Sequence, residues 1–179
     1  MIEEKNEKKK PLFRRKPLEF WGFVVTFAMS LVALLGQWTS YKVSQSEVQI
    51  REIIRQESEF ARDRNSVNAV SLFVSGKDTA IYDAGPGGSN WIGSDSINRR
   101  YATLPQFKRL VHFQIKIYPV DFGGRFAQAE TVTEGEGTQD GQSLRIIGHD
   151  FWELEKVNHI PFLPWTGQWK IKTLTVNMR

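Results

Sequence analysis

Val111-His112-Phe113-Gln114-Ile115-Lys116-Ile117-Tyr118 alternates apolar and polar side chains without a break until the final aromatic. A period of two puts Val111, Phe113, Ile115 and Ile117 on one side of a strand, the pattern of a half-buried sheet. His112 falls on the opposite side, so it is expected at a convex surface or a dimer contact. Downstream the pattern recurs. Asp121-Phe122-Gly123-Gly124 makes a turn, and Arg125 to Glu134 follows as a strand. Gly135 to Gly141 reads as the next reversal, with Asp140-Gly141 as its tight-turn pair. Leu144 to Val157 and Gln168 to Met178 complete four long strands of an expected antiparallel sheet.

Upstream the period changes. Val43 to Arg64 reads as an amphipathic helix with Val43, Ile50, Ile53, Ile54, Phe60 and Ala61 on one face. Glu47 with Arg51, and Arg55 with Glu59, are spaced to support its other face. Val67 to Val74 is a second helical stretch, ended by Gly76. Thr79 to Asp83 is a short strand, closed by the loop Gly85-Pro86-Gly87-Gly88. Ser94 or Asp95 is placed to cap a short helix in which Ile97, Tyr101 and Leu104 share a face, with Pro105 at its end. Helices first and strands afterward indicate an α+β domain with helices packed on a curved antiparallel sheet.

Phe20 to Trp38 contains no charged residue. As a helix this run is roughly 28 Å long, about the thickness of a bilayer's hydrocarbon, with Trp21, Trp38 and Tyr41 placed at the interfaces. It is expected to be a single transmembrane helix in the lipid bilayer. The cations before it are Lys5, Lys8, Lys9, Lys10, Arg14, Arg15 and Lys16. They set the N-terminus in the cytoplasm and the C-terminal domain on the periplasmic or other extracytoplasmic side. No good small-x-small cleavage site follows, so an uncleaved anchor is the reading. The expected organisation is a basic tail (1–19), the span (20–38), a membrane-proximal helix (39–63) and a folded domain (64–179). Gly22, Thr26, Ser30 and Ala33 form a stripe of small residues suited to helix–helix contact and a homodimer.

With 179 residues, 40% of them hydrophobic and 25% charged, the chain has room for one domain beside these segments. It has no cysteine, which excludes disulfides, thiolate nucleophiles and Cys-based zinc sites. The net charge is +4, and the tail before the apolar run holds +3 of it. The remainder is nearly neutral and lacks the basic stripe that nucleic acid would need. No nucleic-acid partner is expected.

Several strings resemble the SnoaL-like branch of the nuclear transport factor 2-like superfamily. Gly93-Ser94-Asp95-Ser96-Ile97 with Arg100-Tyr101 resembles its short helix before the sheet. Leu110-Val111-His112-Phe113 resembles the opening of its first long strand. Asp150-Phe151-Trp152-Glu153-Leu154-Glu155-Lys156, then Gly167-Gln168-Trp169-Lys170-Ile171, resembles its closing hairpin. The likeness covers roughly 64–178 and implies a cone, a bent sheet wrapped on helices around a pocket. Isomerases, cyclases, dehydratases and non-catalytic binding domains share that fold, so it does not choose a function. Asn158 to Thr166 departs from the tight hairpin the family implies, and Ile160, Phe162, Leu163 and Trp165 make it a candidate contact for lipid or a partner. An anchor followed by such a domain is similar in layout to the inner-membrane assembly factors of type IV secretion.

The candidate chemistry is sparse. His112, His149 and His159 are the only histidines and lack a metal-ligand spacing, so no metal or other cofactor is expected. Alternation puts Asp150 on one strand face with Leu144, Ile146, Trp152 and Leu154, which makes it the best carboxylate to enter a cavity. Tyr82, Asp83, Trp91, Tyr101 and Trp152 are the other candidate pocket-lining residues. Asp121-Phe122-Gly123 and the glycine-rich loop lack the companions that kinase or phosphate-loop chemistry requires. The leading expectation is therefore a membrane-anchored, non-enzymatic binding or assembly module. One alternative is a pocket enzyme of isomerase, cyclase or dehydratase type using Asp150. Another is a subunit of an envelope-spanning secretion or transfer complex, joined to a partner in the membrane.

Overall fold

The computed structural model describes residues 17–84, 88–119, 124–158 and 167–178. The elements run α1 (Pro17–Arg62), α2 (Ser66–Ser71), β1 (Ala80–Asp83), β2 (Asn90–Ile92), α3 (Ser94–Thr103), β3 (Gln106–Pro119), β4 (Phe126–Gln139), β5 (Gln142–Val157) and β6 (Gln168–Met178). The chain divides into two compact units, 1–41 and 42–179, and α1 runs through the division.

In the first unit the apolar side chains of α1 stand exposed, Trp21, Phe23, Phe27, Met29 and Val32 each by more than 60%. Thr26 Oγ1 donates to the Gly22 carbonyl at 2.8 Å and Ser30 Oγ to the Thr26 carbonyl at 2.9 Å, so both hydroxyls turn back onto their own helix. Gly22, Thr26, Ser30 and Ala33 all lie in this exposed stretch. Among the described residues no helix is long and apolar enough to cross a membrane. Among those residues the span expected over Phe20 to Trp38 is not found.

The second unit is an α+β cone, with helices on a curved sheet. Ile50, Ile54, Glu57, Ser58 and Ala61 are the buried face of α1, with a spacing of three and four that keeps one side of a helix inward. Arg55 bridges Glu52 and Glu59 on the solvent side. Among the described residues six strands run in the order β2-β1-β6-β5-β4-β3. The sheet is mixed where an antiparallel one was expected, because β1 lies parallel to β6 with Ala80 opposite Thr173. The α3 cap also differs from expectation: Gly93 occupies the position with a φ of 79°, and no side chain caps the helix.

Two features of the sheet overturn the alternation reading. β3 carries irregularities between Phe107 and Arg109 and between Phe113 and Lys116, with Gln114 at a φ of 52°. Each adds a residue and flips the phase. Phe107 and Leu110 are buried, Phe113 is 39% exposed, and Ile115 and Ile117 turn back against the core. Gly135 and Gly137, expected in a reversal, lie within β4, and only Asp140-Gly141 turns the chain. A Cβ on Gly137 would sit 2.3 Å from the Gln106 carbonyl oxygen, and one on Gly135 would sit 2.7 Å from Ile146 Cγ1. These glycines let neighbouring strands and side chains close over the bend.

Candidate active site

Glu57 is a carboxylate set in the apolar stripe of α1, between Ile53 and Ile54 on one turn and Phe60 and Ala61 on the next. It is only 4% exposed. Tyr101, on the inner face of α3, donates its hydroxyl to Glu57 Oε1 at 2.5 Å. His112, turned inward between the two bulges of β3, brings Nε2 to 2.8 Å from Glu57 Oε2. Its Nδ1 lies 2.6 Å from Thr133 Oγ1 on β4, the residue paired with it across the sheet. Thr133 in turn donates to Asp150 Oδ2 on β5. Directly across from Thr133 is Gly148, which has no side chain to block the hydroxyl from reaching Asp150 two residues further on.

The result is a buried chain of contacts, Tyr101–Glu57–His112–Thr133–Asp150. At its end Asp150 Oδ1 is buried and, among the described residues, accepts no hydrogen bond. Trp152 seals one side, its ring set edge-on to the His112 ring at 5.1 Å, with Nε1 donating to Thr131 at 3.0 Å. Burial pushes the Asp150 carboxyl up from its ordinary value, against the opposing pull of the His112 charge and the Thr133 hydroxyl. Burial would also raise Glu57. There the His112 hydrogen bond and charge, the Tyr101 hydroxyl and the Arg100 charge win, and Glu57 lies below the usual carboxylate range. The same burial, with the Glu57 charge beside it, drives the Tyr101 hydroxyl well above its ordinary value. Two carboxylates facing one imidazole are thus pushed in opposite directions.

Arg100 lies behind this chain. Its Nη2 donates to Asp83 Oδ1 at 2.8 Å, and Trp91 Nε1 donates to Asp83 Oδ2 at 2.9 Å. Burial works against the Arg100 charge, but the Asp83 contact outweighs it and holds the guanidinium protonated. These three side chains line a cavity of about 290 Å³ with Thr103, Leu104, Pro105, Phe107, Gln139, Leu144 and Ile146. A more open groove of about 650 Å³ runs beside it along Gln106 to Lys108, Glu136 to Thr138 and Ser143 to Arg145. Asp150 lines neither. Ile146, which lines the smaller cavity, shares the buried face of β5 with Asp150, and its side chain meets Leu110 over Gly135.

Of the pocket candidates read from the sequence, Tyr101, Asp150 and Trp152 come together in the buried chain, and Asp83 and Trp91 line the cavity. Tyr82 does not join them. It is 37% exposed, because β1 puts Ile81 and Asp83 on the inner side and Tyr82 on the other. His112 is corrected from the outer face to the inner one by the β3 bulge. Ile160, Phe162, Leu163 and Trp165 lie outside the described residues. Glu57, Thr133 and Arg100 were not read as site residues. Glu57 had a signal, a charge inside an apolar helical stripe, and Thr133 shares the inner alternation of Ala127, Ala129 and Thr131.

No protein-family model matches the chain, and no curated protein matches it. Solved structures do match. A protein described as ntf2-like with a cystatin-like fold, from Novosphingobium aromaticivorans, superposes with a TM-score of 0.61 at 15% identity, over 80% of this chain and 88% of that one. The fold is nuclear transport factor 2-like. A hexachlorocyclohexane dehydrochlorinase from Novosphingobium barchaimii shares this nuclear transport factor 2-like fold with a TM-score of 0.61 at 14% identity, covering 78% of this chain and 90% of that one. A ketosteroid isomerase-like protein from Erwinia carotovora atroseptica follows at 0.55 and 14%, covering 75% and 92%. At such identities the likeness is one of fold. The leading expectation of a membrane-anchored, non-enzymatic module is nevertheless overturned. The last two of these neighbours carry the names of an enzyme and an enzyme-like protein, and among the described residues no membrane span is found.

Proposed function

We propose that the chain is a proton-transfer enzyme of the isomerase or dehydratase type, with Asp150 as the acid–base group. The observation that carries this reading is the buried Oδ1 of Asp150, unpartnered among the described residues and backed by Thr133, His112, Glu57 and Tyr101. A carboxylate in water is too weak a base to take a proton from carbon. Burial raises its basicity toward the working range of an enzyme base. With Oδ2 held by Thr133, Oδ1 is the oxygen left for substrate. Proton removal there, followed by return to another carbon or by departure of a leaving group, gives isomerisation or elimination. The dehydrochlorinase and the isomerase-like protein among the fold neighbours support this class.

The cavity under α3 is the approach in this reading. Its walls are mostly apolar, with Arg100 and Asp83 as orienting polar groups, the composition of a small-ligand site. Substrate reaches Oδ1 by displacing Ile146 and Leu110. The test is incubation of the full chain in D₂O with neutral alicyclic ketones, β-hydroxy ketones and chlorinated cyclohexanes, read by mass spectrometry for deuterium uptake and products. Turnover that falls about 100-fold or more in Asp150→Asn is the expected result. Equal rates in Asp150→Asn, or no turnover of any compound, would sink the proposal.

A further inference from the structure

The chain of contacts can be satisfied by two placements of one proton. His112 Nδ1 and Asp150 Oδ2 are 3.5 Å apart, too far for a sound direct hydrogen bond. Thr133 Oγ1 bridges them, 2.6 Å from Nδ1 and in hydrogen-bond contact with Oδ2. A hydroxyl has one proton to give and lone pairs to receive. If Thr133 donates to Asp150, Nδ1 must be the donor to Thr133. If Thr133 donates to His112, Asp150 must carry a proton and donate back. Glu57 Oε2 holds Nε2 as a donor in both arrangements, since a carboxylate only accepts.

We propose that Thr133 is the positioning residue through which His112 governs whether Asp150 rests as base or as acid. In one arrangement His112 is imidazolium and Asp150 is carboxylate. In the other, the Nδ1–H and Oγ1–H bonds break while new Oγ1–H and Oδ2–H bonds form, giving neutral imidazole and a carboxylic acid. The total charge does not change, so the transfer needs no outside partner. This inference rests on the reading of Asp150 as the acid–base group, and it deepens that reading by naming what sets its state.

The groups facing the pair come from every element around it: Glu57 from α1, Arg100 and Tyr101 from α3, and Asp83 behind Arg100 from β1. Arg100 acts through its charge on both Glu57 and Asp150. Tyr101 and Arg100 keep Glu57 ionised, and an ionised Glu57 holds the proton on Nε2. That leaves Nδ1 as the ring nitrogen that changes state. Trp152, edge-on to the ring, walls one side of the imidazole.

The experiment is NMR on the full chain, following the Asp150 carboxyl carbon and the His112 ring nitrogens across pH in wild type, Thr133→Val and Thr133→Ser, each with and without His112→Gln. In wild type, proton occupancy at Nδ1 and at the Asp150 carboxyl should be complementary wherever the pair holds one proton between them, and His112→Gln should move the Asp150 midpoint. Thr133→Val should abolish that complementarity and cut the effect of His112→Gln at least twofold, and Thr133→Ser should restore both. An equal effect of His112→Gln with valine at 133 would mean that the two groups couple through space alone, and the proposal would be wrong. If the valine variant does not fold, Thr133→Ala is read by the same criteria. Coupling present without turnover of any substrate overturns the enzyme reading and leaves this one. Turnover with a wild-type pH profile in Thr133→Val does the reverse.

Discussion

Asp150 costs the folded state more at neutral pH than an asparagine would. Its folded-state value is raised above 3.8 because burial penalises its charge. In the window between that unfolded value and the raised folded one, the folded chain binds more protons, so stability falls as pH rises through it. Asp150→Asn should therefore melt higher than wild type at pH 7, with the gap closing toward pH 4, in thermal scans across pH. An unchanged or lower melting point at pH 7 would place Asp150 among structural carboxylates. Glu57 has the opposite sign. Its folded value is lowered from 4.5, so its contribution is present above that value and lost as pH falls through the folded one. Glu57→Gln leaves His112 without its ionic partner in the core and should cost about 3–5 kcal/mol in urea unfolding. At this scale the inward direction of Asp150 was legible, because strict alternation in β5 needs no knowledge of the partner strands, whereas its expected place in a cavity was not met. Glu57 has its signal in the apolar stripe of α1, while the inward turn of His112 runs against the local alternation of β3.

That departure belongs to β3 as an element. Val111 to Tyr118 alternates in the sequence, yet the strand adds a residue at each bulge, and the phase of burial follows the backbone. Nothing local in the segment announces this; the bulges are fixed by pairing with β4. The β4 glycines make a second test. Gly137→Ala puts a Cβ 2.3 Å from backbone oxygen and 2.8 Å from the Phe107 Cα, where no rotamer can relieve it. It should disrupt β3 pairing and cost several times more than Gly141→Ala. Gly141 sits at a φ of 78° with open space around it. There only backbone strain is added, about 1–2 kcal/mol. Equal losses in denaturant unfolding would remove the close-approach argument. Ile146→Ala should cost about 2–5 kcal/mol and open the cavity toward Asp150, so that larger ketones are turned over faster than by wild type. A variant that loses stability without any change in substrate size preference would show that Ile146 does not stand in the path.

The whole molecule divides near Tyr41, and the inner face of α1 beyond that point belongs to the core of the second unit through Ile50 and Ile54. A chain trimmed to 42–179 should unfold cooperatively with a melting temperature close to that of the full chain, and should self-associate less once the exposed Trp21, Phe23 and Phe27 are gone. A trimmed chain without a cooperative transition would show that the first unit is required for folding. The α+β class, the four long strands, the amphipathic helix and the inward face of β5 were determined by the sequence alone, because each is a periodicity written in consecutive residues. The parallel pairing of β1 with β6, the inward turn of His112, and the meeting of Glu57, His112, Thr133 and Asp150 were decided by tertiary structure. Those four residues come from one helix and three strands. What joins them is sheet register, two bulges and a missing side chain at Gly148, and these depend on which strands pair rather than on the local order of residues.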